Sequence, residues 1–133
     1  MPRRVLIVED NPTDALLLRR ALTEGGVDYD ATVIDDGAKA IEFIDRCEED
    51  RKPELIIVDL NLPKEGGLEV LKKYRANPMF VKARMAVLTS SDAPSDRSRA
   101  ELMGVDAYLR KPMDLDDFLA LGNVFRQLLE PES

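Results

Sequence analysis

The chain has 133 residues, of which 34% are charged, and its net charge at neutral pH is −7. This length is most simply one domain, and the acidic balance argues against a nucleic-acid surface, which needs clustered Lys and Arg to neutralise phosphates. The absence of histidine excludes Ser-His-Asp and Cys-His catalysis, His-ligated zinc and a phosphohistidine carried on this chain.

The membrane and redox features of the sequence indicate the cellular compartment in which the protein works. No apolar run approaches the ~20 residues of a membrane span, and the N-terminus lacks the pattern of a signal peptide. A single cysteine, Cys47, excludes an internal disulfide and a thiolate metal cluster and fits a reducing compartment. We therefore expect a cytoplasmic protein that binds neither membranes nor nucleic acid.

The first two predicted elements show the pattern that repeats along the chain. VLIV (5–8) is short and rich in β-branched residues, which is typical of a strand covered on both faces. Asn11 then suits an N-cap and Pro12 suits the first position of a helix. The apolar spacing of that helix continues until Gly25 and Gly26 stop it. These residues predict a strand followed by a helix.

The same alternation continues to the end of the chain. In chain order, the predicted strands are 5–8, 31–34, 55–60, 85–91 and 107–112, and the predicted helices are 12–24, 40–50, 66–78, 94–103 and 115–129. Strands that alternate with helices pair in parallel, because each helix provides the crossover between parallel strands. We predict an α/β domain built on a doubly wound, five-stranded parallel sheet. In such sheets, sites form beyond the carboxyl ends of the strands.

Polar side chains that can carry chemistry follow four of the predicted strands. They are Glu9 and Asp10 after the first, Asp59 at the third, Thr89 and Ser90 at the fourth, and Lys111 at the fifth. The third strand lies beside the first in the usual doubly wound orders, so we expect Glu9, Asp10 and Asp59 to converge. Three neighbouring carboxylates repel one another unless a positive charge compensates them. Oxygen ligands of this kind suit Mg²⁺ better than Ca²⁺ when few protein ligands are available.

An acidic trio, a hydroxyl and a lysine around a metal can hold a phosphoryl group, and one carboxylate can attack phosphorus to form an acyl phosphate. Each residue alone has a simpler structural explanation: helix capping for Asp10, turn chemistry for Thr89, and an ordinary surface position for Lys111. Their joint placement at one edge of the sheet, with complementary charges, favours a phosphoryl site.

Four motifs carry a resemblance to a known family. VLIVEDNP (5–12), IIVDLNLP (56–63), VLTSS (87–91) and AYLRKP (107–112) resemble, in order and spacing, the receiver domain of bacterial two-component response regulators. The resemblance covers essentially the whole chain. It implies a flavodoxin-like (βα)5 receiver fold with strand order 2-1-3-4-5, as a single domain over 1–133 with a short tail at 130–133 and no output domain. EDNPTDALLLRRAL and DLNLPKEGGLEVL further resemble the stand-alone regulators paired with phytochrome kinases.

The resemblance implies a phosphoacceptor and a metal site. Asp59 would take the phosphoryl group from a histidine on a partner sensor kinase. Mg²⁺ would be bound directly by Asp10, Asp59 and the backbone carbonyl of Asn61, and through water by Glu9. One departure is visible in KEGG (64–67), where the acid stands at Glu65 rather than directly before Gly67. We expect a more flexible loop there, because Gly66 loses more entropy on ordering.

The resemblance also implies a switch. Lys111 would pair with the phosphoryl group, and the bond between Lys111 and Pro112 would be cis, which a proline makes feasible. Thr89 would move to bond a phosphoryl oxygen, and Tyr108 would swing inward behind it. That motion would carry the signal to a surface formed by the fourth helix, fifth strand and fifth helix. Alternatively, Tyr108 is an amphipathic residue at a sheet edge without a switching role.

The last helix carries more apolar residues than one core face needs. At 100° per residue, the predicted core face consists of Leu115, Phe118, Leu119, Gly122, Phe125 and Leu129. Leu121, Val124 and Leu128 fall roughly on the opposite side. Isolated apolar residues are normal on surfaces, but these three also form a candidate face for an isologous homodimer.

The predicted function is a stand-alone signalling switch that catalyses its own phosphorylation and dephosphorylation and turns over no metabolite. A haloacid-dehalogenase-type phosphatase needs a second Asp two residues after its nucleophile, and that position here is Asn61. A flavin carrier of related fold needs a Ser/Thr/Gly-rich phosphate loop, whereas EDNPTD is acidic. A pseudo-receiver that binds a partner without phosphorylation is the main alternative, although such domains typically lack some of the acidic positions that are complete here.

Overall fold

A computed structural model describes residues 2–62, 66–90 and 93–130 of the chain. Within these ranges, strands and α-helices alternate along the whole sequence. The strands are β1 (Arg3–Val8), β2 (Tyr29–Ile34), β3 (Leu55–Val58), β4 (Arg84–Thr89) and β5 (Ala107–Arg110). The helices are α1 (Pro12–Glu24), α2 (Gly37–Arg46), α3 (Gly67–Ala76), α4 (Pro94–Leu102) and α5 (Leu115–Leu129).

The strands form one parallel sheet in the order β2-β1-β3-β4-β5, which confirms the predicted architecture and strand order. The register pairs Val8 at the end of β1 with Val58 at the end of β3. One residue further on, the Asp59 N–H donates to the Val8 carbonyl at 3.0 Å. The ladder therefore continues just past both strands and fixes the backbone from which the acidic side chains project.

Capping residues explain where two helices begin. Asn11 caps α1, because its side-chain oxygen accepts the N–H of Thr13 at 2.9 Å and that of Asp14 at 3.2 Å. Asp36 caps α2 by accepting the N–H of Lys39 at 2.7 Å, so this helix begins at Gly37, earlier than predicted. The acidic residues after β2 therefore stabilise the start of α2.

Several other boundaries differ from the sequence prediction. β2 begins at Tyr29 because the ladder with β1 already pairs Tyr29 with Arg3. α2 ends at Arg46, and the remainder of its predicted span contains a separate 3-10 turn over Glu49–Arg51. α3 ends at Ala76, after which Asn77 caps a second 3-10 turn by accepting the N–H of Met79 at 2.9 Å.

Two apolar layers cover the sheet. On one face, α1 and α5 pack against β1, β3 and β4 through Leu18, Leu22, Phe118 and Phe125. On the other face, α2, α3 and α4 cover the sheet, and Tyr74 stacks on Phe80 with their ring centroids 5.2 Å apart. None of the helices in the described ranges has the length and apolarity that a membrane span requires.

The contact between α1 and α5 depends on glycine. A Cβ added to Gly122 would overlap the carbonyl oxygen of Ala21, and one added to Gly25 would lie 2.5 Å from the carbonyl oxygen of Gly122. The backbones of the two helices therefore touch where these glycines meet. The close approach ties the two helices into one rigid layer.

The same close approach corrects part of the prediction for α5. Phe118, Gly122, Phe125 and Leu129 are buried as predicted, but Leu115 is exposed. Leu121 was assigned to the opposite, candidate dimer face, and this was wrong: it is 9% exposed and belongs to the core that α5 shares with α1. Because the helices approach so closely, the buried stripe widens to include it. Val124 and Leu128 remain half-buried.

Two expectations fall on parts of the chain outside the described residues. They concern the acid at Glu65 and the tail beyond Glu130.

Candidate active site

Three carboxylates meet where β1 and β3 end. Glu9 directly follows β1 and Asp59 directly follows β3, and their side chains are only 2% and 5% exposed. Together with the exposed Asp10 they offer oxygen atoms that all lie within 4.8 Å of one another. The structure thus brings together the three carboxylates that the sequence placed at this edge.

The carboxylate of Asp59 is held at both oxygens. Oδ1 accepts the backbone N–H of Asn61 at 3.0 Å, and Oδ2 accepts from Nζ of Lys111 at 3.1 Å. The side-chain amide of Asn61 in turn donates to the Thr89 hydroxyl at 3.4 Å. These bonds fix the orientation of a buried nucleophile candidate.

Lys111 completes the site from the end of β5. Its backbone N–H donates to the Thr89 carbonyl at 2.8 Å, so the β4–β5 ladder also extends past the strand. Its ammonium nitrogen lies 2.8 Å from Glu9 Oε1, 2.8 Å from Asp14 Oδ2 and 3.1 Å from Asp59 Oδ2. Three carboxylates therefore match the three donors of the ammonium group.

These contacts decide the charge of Lys111. Burial lowers its pKa, but hydrogen bonds to Asp14, Glu9 and Asp59 outweigh burial and raise the pKa above its ordinary value. Lys111 is therefore cationic at physiological pH. One cation nevertheless faces several carboxylates, which leaves an excess of negative charge at this edge.

Burial and neighbouring negative charge both act on the pKa of Glu9. Burial raises its pKa from the ordinary 4.5 to about 7, with a further upward contribution from Asp59, whereas hydrogen bonds from Lys111 and the Asn11 N–H act in the opposite direction. Either a proton or a cation can relieve this crowding of charge. The site is thus electrostatically prepared for a positive ligand.

The donors present fit a hard divalent cation. All three converging groups are carboxylates, which are the ligands that Mg²⁺ prefers, and the exposed position of Asp10 leaves an open side for water molecules that Mg²⁺ retains. Among the described residues, Glu9, Asp10 and Asp59 form the converging set. These three carboxylates could bind such an ion.

The hydroxyl and the aromatic residue occupy different environments. Thr89 is completely buried beside Asn61, whereas Ser90 is exposed. Tyr108 is half-buried on β5, and the guanidinium carbon of Arg97 from α4 lies 5.6 Å from the centroid of its ring. This distance is within the range of a cation–π contact. Tyr108 thus links β5 to α4.

The predicted cis bond before Pro112 was wrong. No cis peptide bond occurs in the described ranges, which include Lys111 and Pro112. The trans form of such a bond is favoured by about 0.5–1 kcal/mol unless the surroundings require the other. From the trans form, the Lys111 side chain already reaches its three carboxylate partners.

Two residues important to the site were missed from the sequence. Asp14 lies in the first turn of α1 and contacts Lys111, and its signal in the sequence was an acidic residue three positions after the N-cap Asn11. Gly67 begins α3, and a Cβ there would overlap the backbone carbonyl of Asp59. A glycine is therefore needed for α3 to approach the end of β3.

Comparison with known proteins identifies the family. The sequence profile of the response regulator receiver domain matches residues 5–122. The chain belongs to this family. Response regulator Rcp1 of Synechocystis sp. is 32% identical over 123 residues, which cover 90% of this chain and 84% of Rcp1. Two mycobacterial relatives, TrcR and MprA, are longer, and the chain spans 43% and 49% of their lengths.

Solved structures of receivers agree with this assignment. The Mn²⁺-bound form of Rcp1 has a TM-score of 0.86 and 31% identity, covering 99% of this chain and 98% of that one. The phosphorylated cyanobacterial phytochrome response regulator RcpA has a TM-score of 0.87 and 26% identity, covering 97% and 94%. The fold of this receiver thus has counterparts among phosphorylated and metal-bound relatives.

Proposed function

We propose that this receiver accepts a phosphoryl group from a histidine of a partner sensor kinase onto Asp59, in a reaction that requires Mg²⁺. The observation that carries the proposal is the environment of Asp59. Its carboxylate is buried among two further carboxylates and lies 3.1 Å from the Lys111 ammonium group. That combination suits a carboxylate nucleophile that must receive a dianionic group.

The proposed metal ligands are those that the resemblance to receiver domains implies. Asp10 and Asp59 would bind Mg²⁺ directly together with the backbone carbonyl of Asn61, and Glu9 would act through water. The bound ion would neutralise phosphoryl oxygens as the charge develops. Support comes from the oxygen atoms within 4.8 Å of one another and from the metal ions in the structures of Rcp1 and of the PA1611 receiver domain.

The transfer itself uses the carboxylate of Asp59. One of its oxygens attacks phosphorus, and the bond between phosphorus and the kinase imidazole nitrogen breaks as the acyl phosphate forms. Lys111, whose ammonium nitrogen lies 3.1 Å from Asp59 Oδ2, would offset the negative charge of the transferred group. The hydrogen bond from the Asn61 N–H keeps the Asp59 carboxylate oriented for attack.

The response would run through Thr89 and Tyr108. Thr89 lies fully buried next to Asn61 and can turn its hydroxyl to a phosphoryl oxygen. Tyr108 would then move inward, and its contact with Arg97 would pass the change to α4. The output surface in this proposal consists of α4, β5 and α5.

The partners belong to the same proposal. RcpA is named a cyanobacterial phytochrome response regulator, which supports a phytochrome-type kinase as the partner, and the proposed compartment is the cytoplasm. A homodimer would use the half-buried Val124 and Leu128. A phosphorylation-independent pseudo-receiver remains the alternative, and the complete acidic set with Lys111 argues against it.

Acetyl phosphate tests the proposal without knowledge of the kinase. The protein is incubated with Mg²⁺ and acetyl phosphate, and its intact mass is measured beside that of Asp59→Asn and of a sample with chelator. We expect one phosphoryl adduct on the wild type alone, and only with Mg²⁺. Absence of the adduct, or its persistence in Asp59→Asn, would contradict the proposal.

A further inference from the structure

Asp14 contacts Lys111 but does not belong to the set of converging carboxylates. Its Oδ2 lies 2.8 Å from the Lys111 ammonium nitrogen, as close as Glu9 and closer than Asp59. Its side chain is 20% exposed, whereas Glu9 and Asp59 are almost completely buried. Among the described residues, the converging set that suits a cation is Glu9, Asp10 and Asp59, without Asp14.

The position of Asp14 is fixed by the helix that carries it. It lies in the first turn of α1, where its N–H is bonded to the capping oxygen of Asn11 at 3.2 Å. The helix is packed against α5 through touching backbones at Gly25 and Gly122. The carboxylate of Asp14 therefore projects from a rigid element, whereas Lys111 reaches it with a flexible four-carbon side chain.

A bound cation changes the balance of forces on Lys111. Once Glu9, Asp10 and Asp59 hold a divalent ion, that ion neutralises their negative charge and repels the nearby ammonium group. Two of the three present partners of Lys111 then attract it less. Asp14 is the partner whose negative charge the cation does not neutralise.

We infer that Asp14 is a positioning residue, which keeps the Lys111 ammonium group beside Asp59 while the neighbouring carboxylates hold the cation. The inference rests on the proposed function and adds to it a residue on α1 that touches neither the metal nor the phosphoryl group. Without Asp14, the ammonium group samples more positions and is less often in place when the phosphoryl group arrives. The largest consequence falls on the rate of phosphorylation.

Three variants separate the charge of Asp14 from other effects. Asp14→Asn removes the charge at constant size, and Asp14→Glu restores it. Glu24→Gln is the matched control, because it removes one negative charge from the other end of the same helix, where the side chain is exposed. With acetyl phosphate and saturating Mg²⁺, we expect the rate to fall about three- to tenfold in Asp14→Asn and to stay within about twofold in the other two variants.

A second readout reports on Lys111 without any phosphorylation. In nitrogen-15 NMR of the Mg²⁺-loaded protein, the wild type should show a Lys111 ammonium signal protected from exchange with water, assigned by its loss in Lys111→Ala. Asp14→Asn should broaden or remove that signal, and Asp14→Glu should retain it. Circular dichroism and urea unfolding verify that all variants are folded.

Defined outcomes overturn the inference. A wild-type rate and an unchanged Lys111 signal in Asp14→Asn would contradict it, as would an equal loss of rate in Asp14→Glu and Asp14→Asn. If no protein is phosphorylated, the proposed function fails, but the NMR comparison still decides whether Asp14 holds Lys111 in the presence of Mg²⁺. The two failures are therefore distinguishable.

Discussion

The two helical layers of this receiver are attached to the sheet in different ways. α1 and α5 meet backbone to backbone at Gly25 and Gly122 and bury aromatic and aliphatic side chains between them. α4, on the opposite layer, buries Ala100 as its only residue, and its Leu102 is 88% exposed. A helix with so little buried apolar surface opens and shifts at lower cost than one packed into the core.

Polar contacts replace apolar packing around α4. Arg75 from α3 donates to the Gly104 carbonyl at 2.9 Å and lies 3.3 Å from Asp106, just beyond the end of α4. Asp106 also accepts the N–H of Met85 in β4 at 2.8 Å. The sheet edge that carries Glu9, Asp59 and Lys111 (the acceptor edge) is connected to the rigid layer through Asp14, whereas Tyr108 contacts the loosely packed α4. In the proposed function, phosphorylation of Asp59 would move α4 while α1 and α5 stay in place.

Gly122→Ala should break the rigid layer and have the largest effect on stability. The added Cβ overlaps the Ala21 carbonyl, and the helices must separate to admit it. We expect the free energy of unfolding in urea to fall by about 3 kcal/mol, at the upper end of the usual cost of overpacking. The control is Asn123→Ala, at an exposed neighbouring position of the same helix. If the two variants unfold at the same urea concentration, the close approach of α1 and α5 is not as described.

The charge of Glu9 should make the metal-free acceptor edge sensitive to pH. Its pKa is about 7 in the folded protein against an ordinary 4.5, so the folded state binds the proton more tightly than the unfolded state. Stability from this group is therefore present below pH 4.5 and lost as pH rises to 7. Between pH 5 and pH 8, we expect a loss on the order of 2–3 kcal/mol.

Urea unfolding with a chelator measures this effect, and Glu9→Gln is the matching variant because its side chain stays neutral. Lys111 keeps its charge throughout this range, since its pKa is raised above an already high ordinary value. Addition of Mg²⁺ should restore stability to the wild type at pH 8. Equal pH dependence in wild type and Glu9→Gln would show that Glu9 is not the group responsible.

Arg97→Met should have the smallest effect on stability and should sharpen the contrast between the layers. It removes the cation over the Tyr108 ring and retains an apolar stem, so we expect a loss of only about 0.5 kcal/mol. Hydrogen exchange of the α4 amides should nevertheless speed up, while that of α1 and α5 stays unchanged. Glu101→Gln is the control, because it removes the 2.9 Å ion pair of Arg97 without removing the ring contact. Equal acceleration in both variants would assign the effect to the ion pair.

The sequence predicted those features that depend on local pattern. Alternating apolar runs and capped helices were enough to predict the sheet. The positions of Glu9, Asp59 and Lys111 at the ends of its strands were enough to predict that they meet at one edge. Leu121 was misassigned because helical periodicity does not show how closely two helices approach, which Gly122 decides. Asp14 was missed because an acid in the first turn of a helix is ordinary, and its contact with Lys111 spans 97 positions of the chain.

The position of the phosphoryl group on the chain shows whether Asp59 is the phosphoacceptor. After reaction with acetyl phosphate and Mg²⁺, the acyl phosphate is reduced with borohydride, the protein is digested, and the peptides are analysed by tandem mass spectrometry. We predict that reduction converts Asp59, and no other residue, to homoserine, and that omission of Mg²⁺ abolishes the conversion. Homoserine at Asp10 or Asp14 instead of Asp59, or unchanged Asp59 in a fully folded protein, would contradict the account.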